Sequence, residues 1–305
     1  MIDWKEFNKL DAQGWKSKVD LDLKGKKVAS DFSYNVENDF FISPFLTQAD
    51  TSSIERDPNQ HTKPCVWIND NDIKAANLTA LKNLNLGAEY LIIEVSNDWS
   101  LNVLLKDIHL EMIGIVLIAK TENILLNTQL RAYLDVNYVN KTTDISIIHH
   151  EDVWFSFEDT FKKRLKKFSQ LSKAYKPNEQ QFIIIALKKD FFAQISELRA
   201  IRKIWANDGN KPINLTVIAL AEAQNINNTD VHPLIIINYL LMSAHLGMSD
   251  VAVFRAKDDE EDLARLSLNI QHIFKEESNL GVVSDPVAGA YILETLTNEM
   301  VQSVS

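Results

Sequence analysis

Eight short, apolar, β-branched runs, spaced far enough apart to leave room for helices, constrain this chain more than any other feature. They fall at Cys65–Ile68, Tyr90–Val95, Gly114–Ala119, Asp144–Ile148, Gln181–Ala186, Leu215–Ala219, Val251–Phe254 and Gly289–Leu293. Several are apolar at nearly every position, as expected of strands covered on both faces rather than half-wet antiparallel ones. Between them, Leu78, Leu81 and Leu84 recur every third position. Phe191, Ile195, Leu198 and Trp205 recur at helical spacing, as do Leu263, Leu266, Ile270, Ile273 and Phe274. Gly87 and Gly281 stand where helices would stop. Eight strand–helix units close a barrel and so hide the sheet edges. The sequence therefore predicts an α/β fold, a TIM-type (β/α)8 barrel over residues 61–305. A doubly wound open sheet is the competing arrangement, but Gly25, Gly87, Gly114, Gly209 and Gly247 are isolated. They build neither a dinucleotide fingerprint nor a P-loop.

Residues 1–60 read differently. A short amphipathic start, Trp4 to Leu10, leads to an aromatic stretch of Phe32, Tyr34, Phe40, Phe41 and Phe45, and then to a polar run from Thr51 to Pro64. This segment has no second layer against which to bury its aromatics. It is expected to be an arm laid over another surface, either its own barrel or a partner.

Charge excludes one class of partner. With 32 Lys and Arg against 42 Asp and Glu, the formal charge is −10, so binding to nucleic acid gains nothing from counterion release. The cluster Lys162, Lys163, Arg164, Lys166 and Lys167 is read as the wet face of a helix. The single cysteine, Cys65, cannot form an internal disulfide and reads as a small buried hydrophobe at a strand start. No segment has the 18 to 20 continuous apolar residues needed to cross a bilayer, and no leader pattern opens the chain, so the expected location is cytoplasmic.

Residue types capable of chemistry are scattered. His149 and His150 follow the fourth run, where barrels place functional groups, but adjacent strand residues face opposite sides. Glu151 and Asp152 beside them are too loosely patterned to be read as a metal cluster. His232 and His245 lie thirteen residues apart, roughly 20 Å along a helix, and cannot share one metal. Both read as helix-terminal or satisfied histidines, and His272 reads as a same-face neighbour of Glu276. Arg199, Arg202 and Lys203 read as structural ion-pair or subunit-contact residues, with Glu197 and Asp190 in reach. The loop 223–230, with Gln224, is polar enough to line a mouth, and Thr229 or Asp230 is placed to cap the next helix. Asp285 and Gly289 read as an architectural turn. No nucleophile elbow or paired carboxylate cleft is evident, so no catalytic, cofactor-binding or metal-binding residue is assigned.

The last third carries a resemblance. Arg265, Asn269, Gln271, Glu276, Glu277, Ser278, Asp285, Pro286, Gly289, Tyr291 and Glu294 occupy the places of a pattern seen in the closing barrel segment of methylmalonyl-CoA mutases. Arg199, Ala200, Arg202 and Trp205 resemble a second block of that family, and Phe41–Phe45 is similar to its entry into the arm. The histidine–threonine–glutamine segment of the catalytic subunit is missing after Leu215–Ala219, and the tyrosine–arginine arm motif is not evident in residues 45–65. The cobalamin-binding domain with its aspartate-x-histidine-x-x-glycine motif is absent from the sequence. The resemblance thus implies the small, non-catalytic (beta) subunit. That subunit would carry no cofactor and no complete active site of its own. It would pair as a heterodimer with a large subunit holding adenosylcobalamin, and would meet acyl-CoA only through that complex. The alternative is a free-standing barrel enzyme or acyl-CoA-binding protein working at its own mouth. The chain ends at Ser305 as a last helix would begin, which leads to the expectation of a truncated final helix.

Overall fold

The computed structural model describes residues 11–47, 61–96, 98–119, 128–130, 132–134, 144–149, 154–156, 158–175, 180–210, 215–223, 231–257, 261–283 and 285–304. Helix α1 (Ala12–Leu23) and a hairpin of β1 (Tyr34–Val36) and β2 (Phe40–Ile42) precede the barrel strands. These strands are β3 (Lys63–Ile68), β4 (Tyr90–Val95), β5 (Gly114–Ala119), β6 (Asp144–His149), β7 (Trp154–Phe155), β8 (Gln181–Ala186), β9 (Leu215–Glu222) and β10 (Val251–Arg255). Between and after them run α2 (Ile73–Asn85), α3 (Leu101–Leu104), α4 (Phe161–Ala174), α5 (Phe191–Asn207), α6 (Pro233–Leu246), α7 (Glu261–His272) and α8 (Tyr291–Gln302). A π-helical turn, Ile273–Glu277, extends α7.

The eight strands form one parallel sheet in the order β6-β5-β4-β3-β10-β9-β8-β7. This is the ring order of a (β/α)8 barrel. The last strand closes onto the first, with Val253 opposite Cys65. Among the described residues the sheet stays open at one seam, between β6 and β7. Only residues 150–153 separate those two strands, far fewer than a parallel crossover needs.

Seven of the eight sequence-derived strands appear and one does not. Gly289–Leu293 is not a strand, because α8 begins at Tyr291. Its buried residues Leu293, Leu296, Thr297, Met300 and Val301 repeat at three- and four-residue intervals, the helical period. Helix α8 runs to Gln302 in the place of the expected strand. The missing eighth strand is β7, whose two residues are too few to show any periodicity.

The β1–β2 hairpin of the arm packs on its own barrel's helices. Val36, Phe40 and Ile42 are buried in the same cluster as α4, α5 and α8 residues. Glu37 and Asn38 turn the hairpin at φ +53° and +60°, the twist-matched geometry of a tight hairpin. Glu37 then accepts from the Phe161 backbone N–H at the start of α4 (2.7 Å) and pairs with Lys188. Tyr34 donates to Asp190, the N-cap of α5. Burial first, and then the Asp190 carboxylate, push the Tyr34 phenol well above its ordinary range. Residues 1–10 and 48–60 of the arm lie outside the described residues.

Candidate functional site

Strand alternation decides what fills the barrel. One cluster gathers Cys65 and Trp67 from β3, Tyr90 and Ile92 from β4, Val116 and Ile118 from β5, and Ile148 from β6. It continues with Trp154 from β7, Phe182 and Ile184 from β8, Ile218 and Leu220 from β9, and Val251 and Val253 from β10. All eight strands thus send bulky apolar side chains to the axis. Cys65 is among them, as the sequence suggested, and its burial pushes the thiol up. The alternate residues face outward, into two separate clusters against the helices.

The same alternation carries three charged residues to the carboxyl ends of strands, where barrels place their chemistry. Glu94 ends the inward series of β4, Glu222 that of β9 and Arg255 that of β10. An Arg255 Nη donates to Glu94 Oε1 at 2.8 Å, and Glu222 Oε1 lies 3.9 Å from the other Nη. The guanidinium carbon sits 4.9 Å from the Trp67 ring centroid and 5.9 Å from that of Trp154. The two indoles meet edge to face at 5.8 Å. The Trp67 indole N–H donates to Glu94 Oε1 at 2.9 Å. Five strands therefore converge on one mutually paired group of two carboxylates, one guanidinium and two indoles.

The sequence reading missed these five residues. The visible signal is a charged residue at or next to the end of each of three otherwise largely apolar runs. Which face each points to becomes readable only once the strand phase is known.

The histidines singled out from sequence do not gather. His149 closes β6, and His150 lies outside the described residues, as do Glu151, Asp152, Gln224, Thr229 and Asp230. The cap of α6 is His232 itself, whose Nδ1 accepts from the Leu234 N–H at 3.3 Å. His245 is buried against the Phe274 ring at 5.2 Å. His272 does not pair with Glu276, because the switch to π-helix after it breaks the i, i+4 relation. Its Nε2 instead lies 3.1 Å from the Leu86 carbonyl, with the ring against Gly87. A Cβ at Gly87 would stand 2.9 Å from that ring, and φ is +93°. A glycine is therefore required there twice over.

The arginines are structural, with partners other than those expected. Arg199 is fully buried and donates to Asp285 and to Glu294 (2.7 Å), tying α5 to the segment entering α8. Asp285 also accepts from the Val287 N–H at 3.2 Å, and Glu294 from the N–H of Gly289, whose φ is +79°. Arg202 pairs with Asp250 and donates to the Leu215 and Met248 carbonyls, while Lys203 donates to Asn298. Glu197 pairs with Arg164, which is buried rather than on a wet face. Burial raises the Glu197 carboxyl, and Arg164 opposes that rise. The lysines around Arg164 do face outward, Lys162 toward Asp39 and Lys163 toward Asp159.

These buried residues of α5 and α8 lie where the chain is comparable with known proteins. Residues 180–305 match the methylmalonyl-CoA mutase family model. The methylmalonyl-CoA mutase of Cereibacter sphaeroides is 30% identical over 130 residues, covering 38% of this chain and 18% of that protein. A probable mitochondrial methylmalonyl-CoA mutase of Caenorhabditis elegans is 27% identical over 128 residues (37% and 17%), and the mitochondrial enzyme of Mus musculus 26% over 128 residues (37% and 17%). The similarity thus spans less than a fifth of each curated relative. Among solved structures, a dipeptide epimerase from Methylococcus capsulatus covers 66% of this chain and 56% of its own at 12% identity, with a TM-score of 0.38. That likeness is too loose to argue from. The matched stretch contains Arg199, Glu222, Arg255, Asp285 and Glu294, whereas Trp67, Glu94 and Trp154 lie outside it.

Among the described residues no group of three or more His, Cys, Asp or Glu is placed to hold a metal ion, and no helix is long and apolar enough to cross a membrane.

Proposed function

We propose that this chain is a small, non-catalytic subunit of an adenosylcobalamin-dependent methylmalonyl-CoA mutase. It supports the interconversion of (R)-methylmalonyl-CoA and succinyl-CoA carried out by a large subunit. The observation that carries this reading is the filled axis. A barrel that acted on a coenzyme A ester along its axis would need a channel wide enough for the pantetheine arm. Here Trp67, Tyr90, Phe182 and Trp154 occupy that space together with ten smaller side chains. The mouth above them directs its charges to one another. The mutase match over residues 180–305 supplies the lineage.

The alternative is a free-standing barrel enzyme working at a mouth near His149, His150 and Gln224. A packed axis does not argue against a site at the mouth. A cleft at the carboxyl ends of β3 and β10, lined by Trp67, Asn69, Asp70 and Lys257, favours that alternative. Radical chemistry would belong to the cofactor of the large subunit, and no step is assigned to this chain. Its part is to stabilise or position the partner, in the cytoplasm. The test is to mix the full chain with a cobalamin-bearing large subunit, then follow size exclusion and turnover. A stable one-to-one complex, with turnover or half-life raised over the large subunit alone, is expected. No complex and unchanged turnover overturn the reading.

A further inference from the structure

We propose that the barrel mouth is a guanidinium-binding box whose resident is the chain's own Arg255. A molecule that competes for it would have to carry a planar, delocalised cation. The walls come from four strands: Trp67 of β3, Glu94 of β4, Trp154 of β7 and Glu222 of β9. The resident comes from a fifth, β10. Two indole faces and two carboxylates are the composition that holds a guanidinium, by stacking and by its fork of donors.

The exposures are graded in the order a box and its occupant require. The Arg255 side chain is 32% exposed, that of Glu94 18% and that of Glu222 9%. The cation sits outermost and the walls lie beneath it. The Trp67 indole N–H bond fixes the Glu94 carboxylate without any help from Arg255. The wall therefore stays organised when the resident leaves. With Arg255 in place the group carries one net negative charge, and without it two. Low-dielectric indole walls focus that field. The box itself therefore favours cations and selects among them by shape.

The test uses the full chain with methylguanidinium as probe and methylammonium and inorganic phosphate as controls. Arg255→Ala, confirmed folded by circular dichroism, is expected to bind methylguanidinium saturably, with a dissociation constant on the order of millimolar, as suits a ligand of few atoms. Binding should be about tenfold tighter than for methylammonium, which has a compact charge and no fork. Phosphate should not bind, and the wild type should not respond over the same range. A folded Arg255→Ala chain with no saturable response, or a wild type responding like the variant, overturns the proposal.

Glu94→Gln supplies a second reading that does not depend on the first variant folding. In 5-fluorotryptophan-labelled protein, the fluorine signals of Trp67 and Trp154, assigned by Phe substitution, should shift as Arg255 loosens. Unchanged signals overturn the proposal. Neither arm involves the large subunit, so failure here leaves the subunit reading standing, and failure of the subunit reading leaves the box.

Discussion

The barrel axis and the shell around α5 bury opposite kinds of residue. Along the axis, eight strands contribute a largely apolar column, which Glu94, Glu222 and Arg255 cap at its carboxyl end. In the shell, Arg164, Gln194, Glu197, Arg199, Asp285 and Glu294 are all buried outside the sheet, in two ion-pair networks that join α4 to α5 and α5 to α8. A barrel enzyme usually keeps its charged residues at the mouth and packs its shell with hydrocarbon. Here the most deeply buried charges hold helices together. What they teach is that charged residues forming a family pattern can be architectural. In the network of Arg199, Asp285 and Glu294, removing one partner would leave the others as uncompensated buried charges.

The largest effect expected from breaking this contrast is in the shell. Arg199→Leu leaves two carboxylates buried without their cation and should cost about 3–5 kcal/mol. This is read as a lower urea midpoint at unchanged slope. The triple change Arg199→Met with Asp285→Asn and Glu294→Gln should recover much of that loss, since removing a whole buried network is far cheaper than breaking it. A triple variant as unstable as Arg199→Leu would mean that shape rather than charge balance matters there.

A smaller effect is expected at the top of the axis. Trp67→Phe removes the indole donor to Glu94 and part of the packing under Arg255, for about 1–3 kcal/mol. Because the column below remains filled, the variant should gain no channel. Uptake of a pantetheine thioester by this variant, followed by equilibrium dialysis, would contradict the filled-axis reading.

The smallest effect lies at the amino-terminal end of the barrel, where Glu89 meets Lys275 and His61. Burial alone would raise the Glu89 carboxyl, but Lys275 and His61 hold it below its ordinary value. A carboxylate lowered in the folded state adds stability above its unfolded value of about 4.3, and that contribution fades as pH falls through the lower folded value. Glu89→Gln should therefore cost about 0.5–1 kcal/mol at neutral pH, reduced by the partial exposure of the pair. The gap to wild type should close on acidification below about pH 4. A gap unchanged by acid would assign the loss to packing.

Much of the architecture was legible in the residues. Seven strands announced themselves as β-branched runs, because a strand covered on both faces has to be apolar throughout. The burial of Cys65 and the structural character of Arg199 followed from neighbours and spacing. The segment at Gly289–Leu293 misled, because its first apolar residues look alike in a strand and in a helix. Only the repeat through Met300 and Val301 separates them. β7 was invisible because two residues have no period. For the candidate site, the sequence offered histidines near strand ends, and the structure put the convergent group elsewhere.

The order of elements, the parallel character of the sheet and the block shared with the mutases were thus fixed by local pattern, which depends only on near neighbours along the chain. Three things were settled only by the tertiary structure: that the axis is filled, that the β1–β2 hairpin packs on its own barrel, and that Glu94, Glu222 and Arg255 meet between two indoles. Each depends on the phase of strands distant in sequence. A one-residue slip in that phase would turn the same side chains to the opposite face.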